Sequence, residues 1–176
     1  MRGGVRKLIL DLLRPAAFFS SIYQIDLDRL QKRGIKGLIF DLDNTIVEWG
    51  SPVAGEELLA WFKALRERGF LSCLLSNNSP ARVNYFAGRL GIPGIYKAGK
   101  PRRRSYRAAL ELLGTAPQET AIIGDQVFTD ILGGNRLGLY TILVTPLSQR
   151  EFLGTRLVRR LERLVLGRWL GRFNGT

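Results

Sequence analysis

The sequence contains no histidine. That removes the usual general base of neutral-pH catalysis, the Ser-His hydrolases and His-ligated zinc sites together. Any catalysis must run on carboxylates, hydroxyls, Lys and Arg. There is one cysteine, Cys73, which has no partner for an internal disulfide and fits a reducing cytoplasm. No uninterrupted apolar run reaches the roughly 18 residues that a membrane-spanning helix needs. The start, Met1 to Leu13, carries charges on both sides of a short apolar run but no small-residue cleavage site, which argues against a signal peptide. Acids are scarce: 15 Asp and Glu stand against 27 Lys and Arg, a formal charge of +12. That excess favours contact with phosphates, whether on nucleic acid, an anionic membrane or a small molecule, and charge alone does not choose among them.

What is present is a globular pattern. At 176 residues with 45% hydrophobic content, the chain is the size of one domain with a sizeable core. Its middle alternates short apolar runs with amphipathic stretches. The runs are Gly37 to Phe40, Phe70 to Leu75, Ile92 to Tyr96, Ala121 to Ile123 and Leu139 to Val144, and unbroken runs of this length suit strands buried on both faces. Helices are predicted between them, at about Gly55 to Arg68, Ala81 to Leu90, Arg102 to Leu113 and Thr129 to Leu137. Glycines 69, 91, 114 and 138 follow these stretches, where a left-handed C-terminal residue is wanted. The alternation predicts an α/β fold with a doubly wound parallel sheet. The expected layout is an N-terminal helical segment over 1–34 packing on the core, a catalytic core over 35–147 and a basic amphipathic helix over 148–176.

In such sheets, ligands bind beyond the carboxyl ends of the strands. The residues that follow the runs are Asp41-Leu-Asp43-Asn-Thr45, Ser76-Asn77-Asn78, Gly99-Lys100-Pro101 and Gly124-Asp125-Gln-Val-Phe-Thr-Asp130. Asp41 and Asp43 stand two apart at one strand end, and carboxylates this close need a cation beside them. Asp125, from another strand, completes an oxygen-only donor set that suits magnesium. Asp41 can then attack phosphorus, and Asp43 can protonate the leaving alcohol and later deprotonate water. Ser76 can donate to a phosphoryl oxygen, and Lys100 can place a positive charge there. Each residue also has a bland reading. Asp41 and Asp43 can be turn or helix-cap aspartates, Asp125 and Asp130 can cap helices, and the Ser76 loop and Lys100 can be ordinary surface.

Two competing motifs fail. Gly94-(x4)-Gly99-Lys100 opens like a phosphate-binding Walker loop, but Pro101 stands where the magnesium-binding Ser or Thr is required. Cys73 lacks the arginine six residues on that a thiol phosphatase needs, since position 79 is serine; it reads as a small core residue.

Together, Asp41-x-Asp43-x-Thr45, the apolar strand ending in Ser76, Lys100 and Gly124-Asp125-(x4)-Asp130 resemble, in order, the four motifs of the haloacid dehalogenase (HAD) superfamily. The resemblance implies Asp41 as nucleophile and Asp43 as acid/base. It further implies Mg2+ bound by Asp41, Asp125 and the main-chain carbonyl of Asp43, with Ser76, Asn77 and Lys100 on the substrate phosphate. Thr45 and Asp130 would stand in or near the metal's outer shell. An acid at 43 points to the phosphatase branch. Residues 46–75 and 77–99 leave room for one strand-helix unit each and none for a cap domain. More narrowly, Gly37 to Trp49, Leu75 to Asn78 and Gly124 to Asp130 are similar to the capless YqeG-like group, itself similar to the phosphatidylglycerophosphate phosphatases of mitochondria and plastids.

A capless site is open, so it suits a phosphate on something large: a lipid at a membrane surface, a protein or a polynucleotide. Arg102, Arg103, Arg104 and Arg107 follow Lys100 and are placed near the crevice mouth. The tail from Phe152 to Phe173 reads as an amphipathic helix. At about 100° per residue, Leu153, Leu157, Val158, Leu161, Leu164, Val165 and Trp169 share one face, and Arg156, Arg159, Arg160 and Arg163 the other, although Arg168 intrudes on the apolar face and Gly154 and Gly167 weaken the helix. That is the profile of a membrane-surface anchor, and equally of a helix packed on the sheet or on a partner chain. The stretch from Leu8 to Tyr23 is a second interfacial segment or part of the core. The expected substrate is thus a phosphorylated molecule, foremost a lipid, at the cytoplasmic face of a membrane. A soluble or polynucleotide phosphate is the alternative. Nucleic-acid binding on the same fold ranks lower, since no base-reading motif accompanies the arginines.

Overall fold

The computed structural model describes residues 11–148. Within them the apolar runs become the strands of one sheet: β1 Ala17–Phe19, β2 Gly37–Phe40, β3 Leu71–Leu75, β4 Gly94–Ile95, β5 Thr120–Gly124 and β6 Tyr140–Val144. Their order is β1-β6-β5-β2-β3-β4, and every pairing is parallel. The central strands β2 and β5 are buried along their whole length. Helices cover both of their faces, which is why their sequences run apolar without alternating.

The helices are α1 Leu27–Lys32, α2 Glu56–Glu67, α3 Pro80–Leu90, α4 Arg103–Leu113 and the short α5 Leu132–Asn135. Local chemistry sets their ends. Ser79 caps α3 by accepting from the Arg82 N–H, and Pro80 takes the first helical position, where its missing N–H costs nothing. Gly91 and Gly114 end α3 and α4 with φ of 66° and 64°, a conformation that glycine adopts without penalty. On one face of the sheet, Leu58, Phe62 and Leu65 of α2 and Val83, Phe86 and Leu90 of α3 pack on Leu38, Phe40 and Leu74. On the other, Tyr106, Ala109, Leu110 and Leu113 of α4 pack on Ile39, Cys73, Leu75 and Ile122. Each large side chain so buried contributes about 1.5–3 kcal/mol.

Two features depart from the sequence expectation. The described part of the N-terminal segment is not wholly helical: β1 joins the sheet edge, with Ala17 opposite Ile142 and Phe19 opposite Val144. A three-residue strand carries no periodic signal, and its partner lies over a hundred residues away. The helix predicted from Thr129 to Leu137 divides into a π-turn, Val127–Ile131, and the four-residue α5. The predicted tail helix lies outside the described residues. No cap domain interrupts the segments after β2 or β3, which hold a loop with α2 and then α3. Among the described residues no helix is long and apolar enough to cross a membrane.

From β2 the chain steps outward to β3 and β4, then returns to β5 on the other side of β2. The segments leaving β2 and β5 therefore diverge, and a crevice opens between them at their carboxyl ends.

Candidate active site

Asp41 is the first residue beyond β2, and its N–H donates to the Ile123 carbonyl of β5 at 2.9 Å. Asp125 is the first residue beyond β5, and the two strands pair with Phe40 opposite Ile123. That register sets Asp41 level with Gly124, one residue before Asp125, so the two acids leave neighbouring strand ends at the same place. Asp130 reaches the same point from the π-turn, and Gly124 makes its approach possible. A Cβ on Gly124 would lie 2.2 Å from the Asp130 carboxyl carbon. Carboxylate oxygens of Asp41, Asp125 and Asp130 all come within 4.8 Å of one another, and all three residues are buried.

Lys100 enters this cluster from the loop after β4. Its Nζ donates to Asp41 Oδ1 at 2.6 Å and to Asp130 Oδ1 at 2.7 Å. Burial disfavours its ammonium form, but Asp130 and Asp41 more than offset that and raise its pKa above the ordinary lysine range. Burial pushes the Asp41 carboxyl up to about 6; Lys100 pulls it down, while the nearby Asp130 adds to the rise. The Thr45 hydroxyl donates to Asp125 Oδ1 at 3.1 Å, and the Gln126 N–H donates to Asp130 Oδ2 at 3.1 Å. A buried set of crowded, oxygen-only donors fits a hard divalent cation.

Asp43 points elsewhere. Its carboxylate is outside the three-acid cluster; Oδ1 accepts from Arg82 Nε at 2.8 Å and Oδ2 from Asn78 Nδ2 at 2.8 Å. It nonetheless faces the same cavity as Asp41, a space of about 480 Å³ lined also by Trp49, Ser76, Asn77 and Lys100. Ser76 is held by its backbone: its N–H donates to Ile95 at 2.9 Å, and its carbonyl accepts from Ala98 at 3.0 Å. Asn77 Oδ1 accepts the Lys100 N–H at 2.8 Å, so this side chain also anchors the lysine loop. Arg102, Arg103, Arg104 and Arg107 stand exposed at the start of α4.

The structure therefore brings Asp41, Asp125, Asp130, Thr45 and Lys100 into one buried group, with Asp43, Ser76 and Asn77 on the wall of the adjoining cavity. Sequence reasoning missed Arg82, and it placed Asn78 and Gly124 at the strand ends without seeing that Asn78 holds Asp43 and that Gly124 makes room for Asp130.

A family model described as HAD-hydrolase-like matches residues 97–149. The chain is 42% identical over 152 residues to "Probable phosphatase YqeG" of Bacillus subtilis, covering 86% of this chain and 88% of that one. It is 29% identical over 167 residues to the chloroplastic/mitochondrial phosphatidylglycerophosphate phosphatase 1 of Arabidopsis thaliana, covering 89% of this chain but 48% of that protein. Among solved structures, the cobalt-bound deoxy-D-mannose-octulosonate 8-phosphate phosphatase of Haemophilus influenzae shares the fold with a TM-score of 0.53 at 13% identity, covering 77% of this chain and 89% of that chain.

Proposed function

The chain belongs to the HAD-like hydrolases, in the family of the Bacillus subtilis phosphatase, and on that premise we propose that it is a magnesium-dependent phosphomonoesterase acting on a lipid phosphate such as phosphatidylglycerophosphate. The observation that carries the reading is the buried Asp41 carboxylate, held by Lys100 and opening onto a cavity that Asp43 also lines.

In this scheme Asp41 is the nucleophile. One carboxylate oxygen bonds to phosphorus as the bond from phosphorus to the ester oxygen breaks, leaving an aspartyl phosphate. Asp43 gives its proton to the departing alkoxide, then takes a proton from the water that attacks the aspartyl phosphate. That second attack releases inorganic phosphate and returns Asp41 as a carboxylate. Lys100, Ser76 and Asn77 supply the charge and hydrogen bonds that hold the phosphoryl oxygens. Asp41, Asp125 and the Asp43 carbonyl would hold Mg2+, with Asp130 and Thr45 orienting the set. When bound, the ion neutralises phosphate charge so that a carboxylate can approach it.

Three observations support a lipid substrate. Among the described residues no cap covers the cavity, which suits a phosphate on a large molecule. Trp49 lines the cavity yet is 47% exposed, offering an apolar lip. The arginines after Lys100 are exposed and suit an anionic surface, as does the basic amphipathic pattern of the tail. The Arabidopsis relative, by its name, acts on such a lipid. On this reading the protein works at the cytoplasmic face of a membrane.

The test is phosphate release from phosphatidylglycerophosphate in mixed micelles, with Mg2+ and with chelator, beside a panel of soluble sugar, nucleotide and polynucleotide phosphates. Magnesium-dependent release that favours the micelles is expected. Turnover of soluble esters with none of the lipid would overturn the substrate assignment and leave the phosphatase.

A further inference from the structure

We propose that Arg82 is a positioning residue for the reaction: it holds the Asp43 carboxylate and the loop that carries Trp49 in one fixed relation. The inference rests on Asp43 serving as acid and base. Arg82 lies in the first turn of α3, and its guanidinium turns inward rather than to solvent; the side chains of Arg82 and Asp43 are 18% and 14% exposed. Nε and Nη2 both reach Asp43 Oδ1, at 2.8 and 2.7 Å. Nη1 donates to the Ser51 carbonyl at 2.7 Å, and Nη2 to the Glu48 carbonyl at 3.3 Å. The guanidinium carbon stands 5.0 Å from the Phe86 ring centroid, which limits the plane's freedom to turn. Asn78, one residue before the α3 cap, fixes the other oxygen of Asp43.

The start of α3 thus grips Asp43 at both oxygens, and the same guanidinium spans both sides of Trp49 through carbonyls 48 and 51. A planar fork spreads five fixed donors over three nitrogens and so spans an acid and two separate carbonyls, whereas an ammonium offers three donors from a single point and holds no fixed plane. A mere loop clip would need the two carbonyls alone. The further pairing with the acid on the cavity wall ties proton delivery to the position of the rim. Displacing a catalytic group by about 1 Å can cost on the order of 10²-fold in rate.

Leaving-group chemistry separates positioning from general support. An alkoxide needs the proton from Asp43 as it departs; p-nitrophenolate needs it little. We would measure kcat/KM, which reports phosphoryl transfer to Asp41, for p-nitrophenyl phosphate, phenyl phosphate, glycerol 3-phosphate and micellar phosphatidylglycerophosphate. Wild type, Arg82→Lys, Arg82→Met and Asp43→Asn would be compared, with circular dichroism on each. Both Arg82 variants should lose about 10²-fold on the alkyl esters and less than about threefold on p-nitrophenyl phosphate. Millimolar guanidinium should restore part of the loss in Arg82→Met. Asp43→Asn should show the same pattern, more steeply, without rescue. Equal losses across the series in folded Arg82→Lys would overturn the proposal and leave a structural clip. A flat series in Asp43→Asn, or a wild type inert to every ester, would instead sink the acid/base or phosphatase reading beneath it.

Discussion

Asp41 is where opposing physical effects meet. Burial and Asp130 raise its carboxyl toward about 6 while Lys100 opposes them. A carboxyl whose pKa rises on folding binds its proton more tightly in the folded chain. The stability it lends is therefore present at low pH and lost as pH climbs from the unfolded value towards about 6. Asp41→Asn removes that charge and leaves Lys100 paired with Asp130. In chelator near about pH 8, this variant should melt no lower than the parent, and with Mg2+ its turnover should fall by at least about 10³-fold. A melting temperature several degrees lower would mean that the charge is stabilising, contrary to this account. Cys73 makes the opposite case of a polar group with no chemistry to do. It is fully buried, and burial pushes its thiol up to about 12. Thiolate is the reactive form, so an aromatic disulfide reagent should leave the native protein untouched and titrate one thiol after denaturation.

At the scale of elements, the turn after β5 is the part most sensitive to a single atom. Gly124 lets the Asp130 carboxylate fold back against the strand end, where an added Cβ would come within 2.5 Å of three of its atoms. Gly124→Ala should cost about 1–3 kcal/mol by denaturant titration, the range of an overpacked site, and should lower activity by moving Asp130 off Lys100. Gly88→Ala is the control: the residue is exposed within α3 and nothing lies within 4 Å of a Cβ there, so stability should hold or rise by up to about 1 kcal/mol. This turn also marks how far sequence can be read. The four inner strands carry apolar runs broken by little more than Ser72, Thr120 and Thr141, and those runs, with positive-φ glycines after the helices, made the sheet and the strand-end acids legible. The π-turn over Val127–Ile131 was not legible, since nothing in its own residues announces it, nor was the close seat of α5 after it, where a Cβ on Gly133 would strike the Tyr106 ring and one on Gly134 would strike Ile122. Nor was Arg82, whose partner lies 39 residues away with no fixed spacing to announce it. Backbone register brings together the strand ends that carry Asp41 and Asp125, and register follows from hydrophobic runs; side-chain clasps follow from packing that a single sequence does not display.

For the molecule as a whole, the parallel sheet converts strand order into a charge arrangement. Its centre delivers three acids to one end, although the chain carries a formal charge of +12. Three crowded carboxylates share the single ammonium of Lys100, so a divalent ion that binds only the folded chain should raise the melting temperature in proportion to the logarithm of its concentration. Because ligands must be deprotonated, protons compete with the ion. With Asp41 raised to about 6 in the metal-free chain, the competition falls inside an accessible range. Scanning calorimetry with increasing Mg2+ should show a clear rise near about pH 8 that shrinks steadily once the pH drops below the Asp41 value. Asp125→Asn should flatten the response at every pH, whereas Asp43→Asn, which leaves the main-chain carbonyl in place, should keep most of it. A magnesium shift of equal size on both sides of about pH 6 would show that the ion binds somewhere other than beside Asp41. Loss of the shift in Asp43→Asn alone would move the ion to the carboxylate that Arg82 now holds.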